Sequence, residues 1–167
     1  TVSFQDGVSP TAGYGGTVTT YIWGTNPATD RSAETTYVVD TTVGNATDDR
    51  RGLLKFDLSS IPTNATVVGA TLEQWISAEG QGWKVYRMLV PWTGTSTYNS
   101  LVGGVTNDGI EANSTESYHN GVNLDTIVNV TVRDNMLVSD IQGMVTNPST
   151  NYGCLIKGLD EATGDGV

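Results

Sequence analysis

The chain has 167 residues, which fits one domain with a sizeable core. Its formal net charge is −10, with only eight Lys and Arg residues. Such a field repels phosphate backbones and anionic lipid, so we exclude nucleic acid and membrane surfaces as partners. No apolar run approaches the roughly 18 residues that span a bilayer, and residues 1 to 6 lack a signal-peptide pattern. Low lysine with abundant Thr and Asn is more typical of an extracellular, virion or cell-surface protein than of a cytosolic one.

The composition favours strands joined by turns. The 20 glycines occur among many Thr, Ser, Asn and Val residues, and β-branched residues fit a pleated surface. The first strand candidates are Val2–Phe4, Thr17–Trp23 and Thr35–Val39. Alternation within the second of these places Tyr21 and Trp23 on the same face.

The middle of the chain predicts two strands around a turn. Residues 53 to 58 read as a buried strand that ends in the turn Ile61-Pro62, and Ala70–Ile76 is the next strand. We predict that Val67–Trp75 and Trp83–Val90 pair antiparallel across the turn 77–82. Residues 93–121 are polar and predict a surface loop with one short strand at most.

The last third combines strands with one helix. Leu124–Val132 and Tyr152–Lys157 are strand-like. Between them the apolar spacing changes to three and four residues, which predicts a helix over 134–146 that starts near Thr131 or Asp134 and ends at Asn147-Pro148. The chain is therefore predicted to be a single all-β domain over residues 1–167 with one short α-helix.

Catalytic motifs are absent from the sequence. The one histidine, His119, lies in a turn-like stretch, and no nucleophile elbow, zinc-protease motif or phosphate-binding loop occurs. We therefore expect no enzyme activity. Cys154 is the only cysteine, so neither an internal disulfide nor a thiolate metal site can form. Its apolar surroundings predict a buried thiol.

Calcium is the ion that the sequence allows, because it binds oxygen ligands and accepts backbone carbonyls. A structural calcium is the one cofactor that we consider. The alternative is that these carboxylates are solvated turn residues. The candidate ligands are Asp6, Asp48, Asp49 and Asp160.

Exposed aromatic side chains are the candidates for sugar binding, since their faces stack on pyranose rings while polar neighbours bind the hydroxyls. The alternative is that each aromatic side chain belongs to the core. An anionic sugar would also need cations to counter the acidic field. The candidate residues are Tyr21, Trp23, Trp75, Trp83, Lys84, Tyr86 and Arg87.

Several short motifs resemble the DNRLRE-type domain and follow the order expected of that family along nearly the whole chain. The resemblance implies a jelly-roll-like antiparallel β-sandwich, usually a non-catalytic module of extracellular bacterial proteins, with some relatives binding acidic polysaccharide such as alginate. Similar modules are found in phage structural proteins. The motifs are Phe4–Gly7, Asp48–Arg51, Leu54–Pro62, Ala70–Leu72, Val90–Thr93, Thr97–Asn99 and Asn151–Gly153.

The sequence departs from the family pattern at two places. Gly94 and Tyr98 stand where the family often has Glu and Trp. The family usually continues past Asn-Tyr-Gly into a further strand, whereas this sequence ends at residues 164–167. We therefore expect the last family strand to be missing, which would leave an unpaired sheet edge after Tyr152–Lys157.

Two functions follow from these observations. The first is a non-catalytic carbohydrate-binding or adhesion module whose partner is a polysaccharide. The alternative is a structural subunit of a virion, such as a decoration, tail or fibre protein, or of an extracellular filament. Its partners would be neighbouring copies that donate β-strands to one another.

Overall fold

The computed structural model describes residues 1–40, 49–78, 80, 82–120, 130–159 and 161. Residues 52–54 and 154–156 are buried in succession, as in strands that are covered on both faces, whereas residues 71–75 alternate between exposed and buried. The helix follows where the apolar spacing lengthens. Seven strands and one α-helix lie in these ranges: β1 Thr17–Trp23, β2 Arg50–Phe56, β3 Thr71–Ile76, β4 Trp83–Met88, β5 Ala112–Asn120, β6 Val130–Asn135, α1 Val138–Thr146 and β7 Cys154–Gly158.

The strands form two antiparallel sheets. The large sheet has the order β1-β2-β7-β4-β5, and the small sheet pairs β3 with β6. This arrangement confirms the prediction of an all-β sandwich with one short helix. The expected unpaired edge after Tyr152–Lys157 is wrong, because β7 lies in the middle of the large sheet between β2 and β4.

Apolar side chains cover both faces of the large sheet. One face packs against the loop that precedes β5, and this cluster contains Ile22, Leu53, Tyr86, Met88, Trp92, Leu101, Val105, Ala112 and Leu155. The other face packs against the small sheet and α1, and its buried members are Val39, Leu54, Leu72, Trp83, Val85, Met136, Cys154 and Ile156. The loop within 93–111 is therefore partly a core element, because Leu101 and Val105 anchor it.

Several local predictions are confirmed. The first strand has the predicted bounds, and Arg31 stacks on both Tyr21 and Trp23, which places these two rings on the same face. The Leu58–Ile61 turn is closed by a hydrogen bond from the Ile61 N–H to the Leu58 carbonyl (2.9 Å). The Cys154 thiol is buried.

Other local predictions are wrong for tertiary reasons. The strands β3 and β4 do not pair with each other, because β3 joins β6 in the small sheet while β4 lies between β7 and β5 in the large one. The helix begins at Val138 and not at 134, since Asp134 and Asn135 extend β6. Residues 112–120 form β5, which is longer than the one short strand allowed within the predicted loop 93–121. Neither Val2–Phe4 nor Thr35–Val39 is a strand, and most of the predicted strand at 124–132 lies outside the described residues.

No helix in the described ranges is long and apolar enough to cross a membrane.

Candidate functional site

The outer face of the small sheet carries the most exposed aromatic side chain in the described part of the chain. Along β3, Leu72 and Gln74 are buried, whereas Thr71, Glu73 and Trp75 are exposed. This alternation follows from the strand period of two, which directs successive side chains to opposite faces. Trp75 is 63% exposed, so nearly two thirds of its surface is open to a ligand.

The partner strand β6 adds three polar side chains to this face. The register places Thr131 opposite Trp75, Arg133 opposite Glu73 and Asn135 opposite Thr71, and all three are exposed. We call these six residues the Trp75 face: Thr71, Glu73, Trp75, Thr131, Arg133 and Asn135.

An ion pair occupies the centre of the Trp75 face. The Arg133 Nε donates to Glu73 Oε1 at 2.8 Å, and both side chains are more than half exposed. The hydrogen bond from Arg133 to Glu73 raises the pKa of Arg133, so the guanidinium stays charged. An exposed pair of this kind adds little to stability. The hydrogen-bonding groups that Glu73 and Arg133 do not use in the pair are available to a ligand.

The geometry of the Trp75 face suits an extended polar molecule. A strand rises about 3.3 Å per residue, so the face from Thr71 to Trp75 is about 13 Å long. It offers an aromatic plane at one end, with carboxylate, guanidinium, hydroxyl and amide groups beside it. An aromatic plane with a few hydrogen-bonding groups beside it can orient a bound ring.

A buried polar network holds the small sheet against the large one. Asp134 on β6 is fully buried, and its Oδ2 accepts hydrogen bonds from Gln74 Nε2 (2.9 Å) and from Trp83 Nε1 on β4 (2.8 Å). The Tyr37 hydroxyl donates to Gln74 Oε1. Because Gln74 and Asp134 lie on the inner faces of the two strands, this network fixes the sheet that presents Trp75.

The Asp134 carboxyl makes stability depend on pH. Burial raises its pKa, although the hydrogen bonds from Trp83, Gln74 and Tyr118 act in the opposite direction. The folded state therefore binds the proton more tightly than the unfolded state. The unfolding free energy must then fall as the pH rises from about 3.9, the ordinary aspartate value, through the raised pKa. We expect the stability of Asp134→Asn relative to wild type to increase between pH 4 and 7, as measured by urea unfolding.

Glu161 provides the control, because its pKa shift has the opposite sign. Burial alone would raise the pKa of Glu161, but the hydrogen bonds and charges of Arg51 and Lys157 outweigh burial and lower it. Its contribution to stability is lost as the pH falls through that lowered value. The stability of Glu161→Gln relative to wild type should therefore be lowest near neutral pH. A relative stability of Asp134→Asn that stays constant over the same pH range would contradict the expectation for Asp134.

Three of the aromatic candidates are buried and offer no exposed ring to a sugar. Tyr21, Trp83 and Tyr86 are 6%, 2% and 5% exposed. Trp83 and Tyr86 pack into the cores on opposite faces of the large sheet. The Tyr21 hydroxyl accepts a hydrogen bond from Arg31 Nη1 at 2.7 Å. Their prediction as ligand-binding residues is wrong, because packing and not solvent covers their rings.

The remaining candidates lie apart from the Trp75 face. Trp23 is half-buried and stacked by two guanidinium groups, with Arg50 Cζ at 4.2 Å and Arg31 Cζ at 5.2 Å from the ring centroid. Lys84 is half-buried on β4, in register with residues of β5 and β7. Arg87 donates to Thr150 Oγ1 at 3.3 Å near the end of α1. Trp75 alone among the predicted residues belongs to the face.

The two predicted calcium ligands that the structure describes do not lie together. Asp6 accepts a hydrogen bond from the Thr17 N–H at 3.0 Å, at the start of β1. Asp49 is buried and pairs with Arg51 (3.3 Å) near the other end of β1, about 20 Å away by the rise per strand residue. These two carboxylates therefore cannot share one ion. The other two candidates, Asp48 and Asp160, lie outside the described residues.

Within the described ranges, no group of three or more His, Cys, Asp or Glu side chains could hold a metal ion. Calcium binding thus stays an untested prediction. His119 lies on β5 and not in a turn, and its Nδ1 is 3.3 Å from Glu116 Oε1, with both side chains partly exposed.

Sequence reasoning missed the polar residues of the Trp75 face. The alternation of β3 could have grouped Glu73 and Thr71 with Trp75. The contribution of Arg133 could not be found, because nothing local indicates that β6 pairs with β3. No protein-family model matches this chain, and no curated protein matches it. The DNRLRE-type resemblance therefore stays a prediction.

Proposed function

We propose that this protein is a non-catalytic, extracellular or surface-exposed carbohydrate-binding module, and that the Trp75 face binds the polysaccharide. The observation that carries this proposal is the 63% exposed Trp75 ring on a sheet face beside Glu73 and Arg133. An exposed tryptophan of this size loses apolar contact with water when a sugar ring covers it. The flanking groups would exchange water for sugar hydroxyls.

The charges of the site favour a neutral polysaccharide. Glu73 and Arg133 cancel, so the Trp75 face has no net charge, whereas the whole chain carries −10. The negative field of the chain would repel an anionic polysaccharide. Arg133, the cation of the Trp75 face, is already paired with Glu73. The DNRLRE-type resemblance implies an acidic ligand instead, so the local charge and the resemblance predict different partners.

A binding experiment separates these predictions. Wild-type protein is run in affinity gels that contain dextran or starch as neutral probes, or alginate as the acidic probe. We expect retardation by a neutral probe, and Trp75→Ala should weaken binding at least about tenfold, which corresponds to about 1.4 kcal/mol. Retardation by alginate alone would favour the ligand class that the resemblance implies.

Trp23→Ala is the matched control, since it removes a partly exposed tryptophan outside the Trp75 face. This variant should bind as the wild type does. If Trp75→Ala also binds as the wild type does, or if no probe retards the wild-type protein, the proposal is wrong. Thermal melts of each variant show whether the fold is intact.

A further inference from the structure

The ion pair between Glu73 and Arg133 uses only part of the hydrogen-bonding capacity of the two side chains. A carboxylate accepts hydrogen bonds through both of its oxygens, and a guanidinium donates them through several N–H groups. The bond that joins the pair runs from Arg133 Nε to Glu73 Oε1 at 2.8 Å. Within the described residues, no other protein group bonds to Glu73 Oε2 or to the two Nη groups of Arg133. These groups are therefore free to bind a ligand.

The unused acceptor and donors lie side by side on an open surface. The register places Arg133 directly opposite Glu73, and the two side chains are 70% and 55% exposed respectively. The other four residues of the Trp75 face are exposed as well. A ligand can therefore reach Glu73 and Arg133 at the same time.

Two hydroxyls on adjacent ring carbons of a sugar match this arrangement. When they are gauche, their oxygens are separated by about the length of a hydrogen bond, as are Glu73 Oε1 and Arg133 Nε. One hydroxyl can then donate to Glu73 while its neighbour accepts from Arg133. An isolated hydroxyl brings one oxygen to the pair instead of two, so fewer of the charged groups regain the bonds that they lose with water.

The ion pair also orients the two side chains before a ligand arrives. Long side chains such as Glu and Arg lose rotamer freedom when a ligand immobilises them, which weakens binding. Because Arg133 Nε is already bonded to Glu73 Oε1, part of this freedom is lost in the unliganded protein. The pair stays intact when the unused groups bind hydroxyls, so binding does not have to break it.

The ion pair lies close enough to Trp75 for one sugar chain to contact both. Glu73 and Trp75 are two residues apart on β3, which is about 7 Å by the rise per strand residue. Both side chains point to the outer face of the small sheet. A ring that stacks on Trp75 therefore brings its own edge, or the next ring of the chain, over Glu73 and Arg133.

We propose that the Trp75 face selects neutral polysaccharides whose rings keep two adjacent hydroxyls free, and that Glu73 and Arg133 determine this specificity. The inference rests on the proposed function, because it assigns a class of ligand to the same face. Trp75 stacks on the ring and contributes affinity for pyranoses in general. Glu73 and Arg133 distinguish among them by which ring hydroxyls the linkages leave free.

Dextran and laminarin are suitable probes, because both are neutral glucans but they differ in their free hydroxyls. The (1→6) linkages of dextran leave three adjacent hydroxyls on each ring of the chain. The (1→3) linkages of laminarin use the middle one of these three, so the internal rings have no adjacent free pair. In affinity gels, we expect the wild type to bind dextran at least about fivefold more tightly than laminarin.

The double variant Glu73→Gln/Arg133→Gln tests whether the ion pair causes this preference. It removes one negative and one positive charge, so the net charge of the chain is unchanged. Dextran binding should weaken about fivefold and laminarin binding should change less than about twofold, so the preference disappears. Glu34→Gln is the matched control, because it removes the carboxylate of another Glu–Arg pair, with Arg31 at 2.7 Å, outside the Trp75 face. It should bind both probes as the wild type does.

The outcomes separate this inference from the proposed function. Equal binding of dextran and laminarin, or a preference that persists in the double variant, would overturn the inference. If Trp75→Ala still weakens binding in that case, the proposed function stands. If the wild type binds neither probe, or if binding does not depend on Trp75, both are wrong. Thermal melts of the variants show whether each is folded.

Discussion

Gly153→Ala is expected to destabilise the protein by about 2–5 kcal/mol. Gly153 has φ of +70°, where an L-residue is strained by about 1–2 kcal/mol. A Cβ at this position would also meet the backbone of β2, with Lys55 Cα at 2.7 Å and the Leu54 carbonyl oxygen nearer still. Backbone cannot move aside as a flexible side chain can, so overpacking adds about 1–3 kcal/mol. Urea unfolding followed by tryptophan fluorescence measures the loss.

Substitutions at two further glycines separate the cost of backbone strain from the cost of overpacking. Gly109 also has a positive φ (+93°), but nothing lies within 4 Å of the position of its Cβ. Gly15 has neither strain nor a neighbour at that distance. Gly109→Ala should therefore lose about 1–2 kcal/mol and Gly15→Ala almost nothing. If Gly153→Ala lost no more stability than Gly109→Ala, the close approach of Gly153 to β2 would be refuted.

Trp83→Ala is expected to have the other large effect, a loss of about 4 kcal/mol. Its ring is 2% exposed in the core between the two sheets. Its Nε1 donates to the buried Asp134 at 2.8 Å, so truncation leaves a cavity and removes a hydrogen bond from a buried carboxylate. For a chain of this length the melting temperature should fall by about 10 °C. Differential scanning calorimetry measures this shift.

Trp75→Ala is the matched control for Trp83, because it makes the same substitution at an exposed ring. Its stability should stay within about 0.5 kcal/mol of wild type. Trp83→Phe separates the two components at the buried position, since it keeps most of the apolar volume but lacks the N–H donor. Equal melting temperatures for Trp83→Ala and Trp75→Ala would show that the Trp83 ring does not support the sheet interface.

Local elements could be predicted because their signals are short-ranged. The bounds of β1 follow from its β-branched and aromatic residues between glycine-rich segments. The end of α1 follows from Asn147-Pro148, because the residue before a proline avoids the helical conformation. The sequence pattern predicts too early a start for α1, since Asp134 resembles a helix cap. It is instead a buried network residue of β6.

Pairing and the candidate site could be predicted only in part. Neighbouring strands β3 and β4 were expected to pair, but each found its partner far along the chain, and no local pattern encodes such contacts. For the same reason Trp75 could be suspected as a ligand-binding residue while Arg133 could not. The burial of Trp83 and Tyr86 could not be predicted either, because strand alternation does not indicate which faces of the large sheet are covered.

The central position of β7 sets an order on folding during synthesis. The pairs β1–β2 and β4–β5 are complete once residue 120 has been made, and among the described strands only β7 joins them. Until residues 154–158 leave the ribosome, each pair exposes an edge that can bind other nascent chains. The large sheet therefore closes after translation of nearly all the described sequence. A chain that is truncated before Cys154 would expose both strand pairs as ribbons that are prone to aggregate.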